Sequence, residues 1–233
     1  MPSRRLTPLP GSALLVVMSQ EPERELVYFD IRGRAEAIRL LLAYVRAPYV
    51  DRGVPRADWP TLKQTVPLGQ VPVLIERSAE GERVIPQSAA ILRHLARVFG
   101  LDGANEDERV RADVVAETTH DLRAAWARVA YNPGWLKDQA ATDAHFRDVF
   151  PRFRAILEGL LESSEEKGAL YFAGPSPTYA DFLVFAVLES HCEVVPSCLD
   201  GHGSLQRFLD DVRALPAIAD YLARRRPSDF ERG

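Results

Sequence analysis

Apolar positions along the chain change their period once. As far as Val98, short β-type runs alternate with helical stripes; beyond it only helical spacing recurs. Glu25–Phe29 reads as a strand. After Arg32-Gly33-Arg34-Ala35-Glu36 comes a stripe of Ile38, Leu41, Leu42 and Val45 at helical spacing. Pro48–Asp51 reads as a second strand, so strand, helix and strand predict a parallel βαβ unit. Asp58–Gln64 predicts a short, irregular helix. Val71–Ile75 is a third strand that starts at a proline, a place where the missing N–H is tolerated. Gly81 turns the chain into Arg83–Ile85, and Gln87-Ser88 opens a helix with Ala89, Ile91, Leu92, Leu95 and Val98 on its apolar side.

Residues 99–106, with Gly100 and Gly103, read as a linker. A long amphipathic helix follows, its apolar positions being Val110, Val114, Leu122, Trp126 and Val129. Further helices are predicted over Phe146–Leu161, Leu205–Leu215 and Ile218–Leu222. Phe182–Leu188 is apolar nearly all round, which predicts a helix in the middle of a core. Thr178-Tyr-Ala-Asp181 ahead of it has the form of a capping box. The expected organisation is a disordered extension over 1–24, a small α/β domain over 25–98, the linker, and an all-helical domain over 107–233.

Composition agrees with a folded protein: of 233 residues, 46% are hydrophobic and 27% charged. A net charge of -4 excludes a broad nucleic-acid-binding surface, which needs clustered cations. Arg224-Arg225-Arg226 is expected to be a solvated helix end. Cys192 and Cys198 form neither a CxxC motif nor a metal cluster with the five histidines, so no metal is expected. Two thiols in such a chain point to a reducing, cytoplasmic setting. No apolar run reaches the roughly 20 residues a bilayer span needs. Arg4-Arg5 and Ala13–Val17 resemble a signal sequence only faintly, because the apolar core is short and Pro8 and Pro10 interrupt its approach.

The order βαβ then ββα is a thioredoxin-like arrangement without the redox CxxC. Tyr28 stands at the end of the first strand instead, and a phenol can donate a hydrogen bond to a sulfur. Tyr28-Phe-Asp-Ile-Arg-Gly-Arg-Ala-Glu36, Ala57-Asp-Trp-Pro60, Gly69-Gln-Val-Pro-Val-Leu74 and Gln87-Ser88 together resemble the cytosolic glutathione transferases. The resemblance is greatest to the sigma-type class, which includes glutathione-dependent prostaglandin D synthases, and it runs from about Glu25 to about Arg225.

The resemblance implies glutathione as co-substrate and a role for each matching residue. An ordinary thiol titrates near about 8.5, and a bond donated to the thiolate lowers that value. Tyr28 would supply the bond, with Arg34 adding positive potential. Val71-Pro72 would pair with the cysteinyl backbone of glutathione, across a cis peptide bond. Gln87 and Ser88, at a helix start, would hold the γ-glutamyl carboxylate; Ser88 also suits a plain helix cap. Trp59 and Lys63 would hold the glycyl carboxylate, or Lys63 is solvated and Trp59 packs in the core. Gln70 stands where close relatives often carry lysine. Asp121, preceded by His120, would reach the glutathione of a partner subunit in a homodimer. Leu122, Trp126 and Tyr131 face either the pocket for a hydrophobic electrophile or the helical core. Three readings follow: a transferase, a prostaglandin-type isomerase, and a non-catalytic binding or structural protein on this fold.

Overall fold

The structure is a computed structural model that describes residues 21–131, 138–166 and 168–227. The expected N-terminal extension lies, up to residue 20, outside the described residues. Four strands form one sheet: β1 (Glu23–Phe29), β2 (Val50–Val54), β3 (Val73–Ser78) and β4 (Gly81–Pro86), in the order β2-β1-β3-β4. β1 runs parallel to β2 and antiparallel to β3, and β3 pairs antiparallel with β4. Leu26 and Leu74 lie opposite each other in this sheet, both fully buried. α1 (Glu36–Tyr44) and α3 (Ser88–Phe99) pack on one another and bury Leu40, Leu41, Ile91 and Leu95. A single short turn of helix, α2 (Trp59–Leu62), lies between β2 and β3.

From Glu106 onward the regular elements of the described residues are helices: α4 (Glu106–Ala130), α5 (Gln139–Ala144), α6 (Phe150–Glu165), α7 (Tyr179–Val194), α8 (Gly203–Ala214) and α9 (Pro216–Leu222). Asn105 caps α4 by accepting from the Glu108 N–H at 3.0 Å, and three acidic residues follow in the first turn, where the helix dipole favours them. α7 is the central helix, packed against α4, α1 and α8, with Phe182, Leu183, Val184 and Phe185 wholly buried. The all-round apolar pattern predicted this place. The expected capping box forms too: Asp181 accepts from the Thr178 N–H at 2.7 Å and the Thr178 hydroxyl at 2.8 Å, and also from the Phe172 N–H at 3.0 Å.

Several expectations need correction. The second strand lies at Val50–Val54 rather than 48–51, and Val50 itself is exposed at the sheet edge. The third starts at Val73, after Pro72 rather than at it. On α4 the core face is Ala112, Val115, Ala116, Thr119 and Leu122, while Val110 and Val114 stand 54% and 49% exposed. Alanine and threonine alternate with larger apolar residues on the core face, which packs on α7. Val98 on α3 is exposed as well. A π-type turn, His145–Val149, joins α5 to α6, so the predicted Phe146–Leu161 helix is displaced and α5 was not foreseen.

The basic run near the C-terminus is no solvated end. Arg225 bonds to Glu36 and Glu189, and Arg226 to Asp30 and Asp51. Only Arg224 behaves as a helix-end cation, bonding the Asp220 carbonyl at 2.9 Å.

Asp181 is fully buried, and burial pushes its carboxyl up to about 6 against the three bonds that favour its charged form. Truncating it would strand two buried N–H groups. Asp181→Ala should therefore cost about 3 kcal/mol of stability in urea unfolding with an unchanged m-value. A loss under about 0.5 kcal/mol would mean that the cap contributes nothing.

Candidate active site

β1 ends by delivering Tyr28 and Phe29 to its C-terminal end of the sheet, where a tight turn leads into a 3-10 segment, Gly33–Ala35. The turn folds back over the phenol. The Arg34 N–H donates to the Tyr28 hydroxyl at 3.0 Å. Gly33 has φ of +40°, and a Cβ there would lie 2.7 Å from the Tyr28 oxygen, so only glycine permits this approach. An oxygen that accepts an N–H bond has a more polarised O–H, which makes the phenol a better donor to an anion.

The strand register gathers the remaining candidates at the same end. Val27 faces Val73, and Val73 faces Pro86. Continued by one or two residues, these ladders bring Tyr28, Val71-Pro72 and Gln87-Ser88 to one end of the sheet. The Val71–Pro72 bond is cis. Gln87 takes a left-handed φ of +73°, unusual outside glycine, and its side chain donates to Gln70 at 3.3 Å. Ser88 is the first residue of α3 and is buried; its hydroxyl accepts from Arg123 of α4 at 3.2 Å.

Behind Tyr28 lies a cavity of about 500 Å³ between the turn, α4 and α7. Arg34 and Trp59 line it from the first half of the chain, and Trp126, Tyr131, Leu183 and Val187 from the second. Trp59 stands edge-on to Phe29, ring centres 5.1 Å apart. Trp126 rests on the rings of His191 and His145 at 4.5 and 5.0 Å. The Val187 carbonyl can only accept, so His191 Nδ1 donates to it at 2.7 Å and its Nε2 accepts from His145 at 3.1 Å. Burial holds these rings down to about 3 and about 4, so both are neutral at physiological pH. The ring stack behind Trp126 therefore carries no charge.

Eight candidates are not in the cavity wall: Gln70, Val71, Pro72, Gln87 and Ser88 stand at the strand ends beside it, and Lys63, Leu122 and Asp121 elsewhere. Lys63 follows α2 and is exposed, its side chain close to Gly69. Leu122 belongs to the core, fully buried. Asp121 is on the exposed side of α4, turned away from the chain's own cavity. Its neighbour His120 is partly buried with neither ring nitrogen hydrogen-bonded, and burial, then the charge of Arg123, lower it to about 4. Sequence reasoning missed Arg123 and the cavity face of α7. Arg123 lies one turn before Trp126, and a cation on that face was a usable signal; the α7 face could not be singled out, because every side of that helix is apolar.

A thioredoxin-like sheet without cysteines, a polarised tyrosine at one end of it and an apolar cavity against a helical half define a protein built to handle a thiol ligand beside a hydrophobic one. Comparison with known proteins agrees. Residues 24–97 match the family description "Glutathione S-transferase, N-terminal domain" and residues 120–225 "Glutathione S-transferase, C-terminal domain". A glutathione S-transferase P of Caenorhabditis elegans is 37% identical over 201 residues, 86% of this chain and 92% of that one. A glutathione S-transferase Mu 2 of Mus musculus is 38% identical, over 84% of this chain and 88% of its own. The structure of a Fasciola hepatica sigma class glutathione transferase superposes with a TM-score of 0.81 at 29% identity, covering 90% and 99% of the two chains. The chain belongs to the glutathione S-transferase family, and the activity of that family is its activity.

Gly33→Ala should leave the chain folded but lower transferase turnover at least about ten-fold, since relief of the clash must move the Tyr28 hydroxyl or the Arg34 amide. Steady-state kinetics beside a melting curve would check this. Wild-type turnover would show that the turn does not set the position of the phenol.

Proposed function

We propose that the Tyr28 hydroxyl donates a hydrogen bond to the sulfur of glutathione, holding it as thiolate for attack on a hydrophobic electrophile in the adjoining cavity. The observation that carries this reading is the Tyr28 oxygen, 3.0 Å from the Arg34 N–H at the cavity wall. Arg34 adds positive potential from the same turn. Glutathione extends along that end of the sheet, its cysteinyl backbone on Val71-Pro72 and its γ-glutamyl carboxylate on Gln87, Ser88 and the start of α3, where N–H groups and the dipole favour an anion. Gln70 flanks that carboxylate through its bond to Gln87. Trp59 and Lys63 serve the glycyl end. Lowering the thiol by two pH units would correspond to about 2.7 kcal/mol of preference for the thiolate.

The sigma-type class and a cytoplasmic homodimer belong to the same proposal. Val110, Val114 and Asp121 share one face of α4, four and seven residues apart, and the two valines are half exposed. A second copy seated on this face would cover them and bring its Asp121 toward the first copy's glutathione, at the γ-glutamyl ammonium. A carboxylate there would add about 1–3 kcal/mol through a charge-assisted bond.

Tyr28→Phe should bind glutathione within a few-fold of wild type, while turnover at neutral pH falls about ten- to a hundred-fold. Ultraviolet titration of the bound thiolate should show its pKa rising. Full activity with an unchanged titration would remove Tyr28 as the activator. For the shared site, Asp121→Ala subunits mixed with Tyr28→Phe subunits form heterodimers with one doubly damaged and one intact site, so activity should partly return. Sedimentation as a monomer at micromolar concentration, or no recovery despite subunit exchange, would rule it out.

A further inference from the structure

Several arginines withdrawn from water in this protein meet carboxylates, while Arg111 and Arg154 bond the Ser164 hydroxyl and the Cys198 carbonyl. Arg24 bonds Glu76 at 3.1 Å, Arg39 bonds Asp51 at 2.9 Å, and Arg225 reaches both Glu36 and Glu189. Arg123 does not. Its guanidinium lines the cavity, and among the described residues no carboxylate comes within ion-pair distance. Its hydrogen bond goes to the neutral Ser88 hydroxyl, one of five donors it carries. Burial, then the like charge of Arg34, pulls it down to about 10. The carboxylates in the cavity wall are already committed: Glu36 and Glu189 to Arg225, Glu193 to Arg32. Arg123 and Arg34 therefore leave the cavity with a positive surplus beside apolar walls.

A desolvated cation without a counter-ion is unfavourable unless a ligand supplies the charge. The neighbours of Arg123 describe that ligand. Trp126, Ala127 and Tyr131 follow it on the same face of α4, and Leu183 and Val187 face them from α7. A molecule filling this space is apolar over most of its length and anionic at one end. We propose that the second substrate is a hydrophobic electrophile bearing a carboxylate, seated on Arg123 beside Arg34 with its body against Trp126 and α7. This rests on the reading that the cavity takes the electrophile. Arg123 is then the residue that selects anionic over neutral electrophiles.

A matched pair of probes tests it: 4-chloro-3-nitrobenzoate and its methyl ester. With either, the glutathione sulfur forms a bond to the ring carbon, chloride leaves with the bonding pair, and the thiol proton passes to solvent. Each kcat/KM is divided by the uncatalysed rate with glutathione, which removes the difference in intrinsic reactivity. Wild type should favour the acid by about ten-fold or more, mostly in KM, as expected for a charge-assisted bond. Arg123→Met should abolish the preference, and Arg123→Lys should restore part of it. A preference that survives in Arg123→Met, or its absence from wild type, would overturn the proposal. So would an equal loss for acid and ester with a raised glutathione KM, which would assign Arg123 to a glutathione carboxylate. Quenching of tryptophan fluorescence by unreactive 3-nitrobenzoate and its methyl ester separates the two readings. Arg123-dependent preference for the acid, without turnover of either probe, keeps the anion seat and removes the reading that the cavity takes the electrophile. Equal binding of acid and ester removes the anion seat whatever the turnover.

Discussion

β1 pairs on both sides, parallel with β2 and antiparallel with β3, so two ladders at once fix where Tyr28 stands. A strand held this way cannot slip by one residue without turning Leu26 from the core to the other face of the sheet. Every other part of the site takes its position from that strand end. Val71 and Ser88 arrive there because β3, antiparallel to β1, starts at that end, and β4, antiparallel to β3, finishes there. The cavity opens there because the chain must leave the sheet after Phe29 to begin α1.

The turn after β1 is stabilised mainly by charge. Arg39, buried in α1, holds Asp51 with two bonds and donates to the carbonyls of Ile31 and Arg32 at 2.9 and 3.2 Å. Arg226 bonds Asp30 and Asp51 from the C-terminal side, and Arg32 donates to the Arg226 carbonyl at 3.0 Å. These bonds satisfy the carbonyls of Ile31 and Arg226 and add to the bond that the Arg32 carbonyl accepts from the Ala35 N–H. They also hold Gly33 and Arg34 against the phenol. A loop that met only water would leave the Arg34 amide to wander, and with it the polarisation of the Tyr28 hydroxyl. Buried ion pairs of this kind contribute modestly to stability, and their value here is in fixing one geometry.

α4 carries three separate tasks on its surface. One side, with alanine and threonine among larger apolar residues, lies against α7, while Arg123, Trp126 and Tyr131 face the cavity. The side with Val110, Val114 and Asp121 is exposed, and the proposed subunit contact places it against a second copy. The aromatic support under Trp126 is made of His145, His191 and Phe146. Buried rings of this kind lower the local dielectric, which strengthens any bond made by a charged group at the wall, Arg123 included.

Much of this was legible in the chain itself. The change from mixed to purely helical periodicity, the tyrosine in place of a redox cysteine, the capping box at Thr178 and the all-round apolar α7 are local patterns, and local patterns follow from neighbouring residues alone. The inner face of α4 was not legible, because it mixes larger apolar residues with alanine and threonine, which a hydrophobic stripe overlooks. Nor was the fate of Arg225 and Arg226, since their partners lie far back in the sequence at Glu36, Asp30 and Asp51. The sequence by itself determined most of the elements, the family motif and the candidate thiol-binding residues. Only the tertiary structure decided which side chains share the cavity and which charges are left without a counter-ion there, because both depend on contacts between segments far apart along the chain.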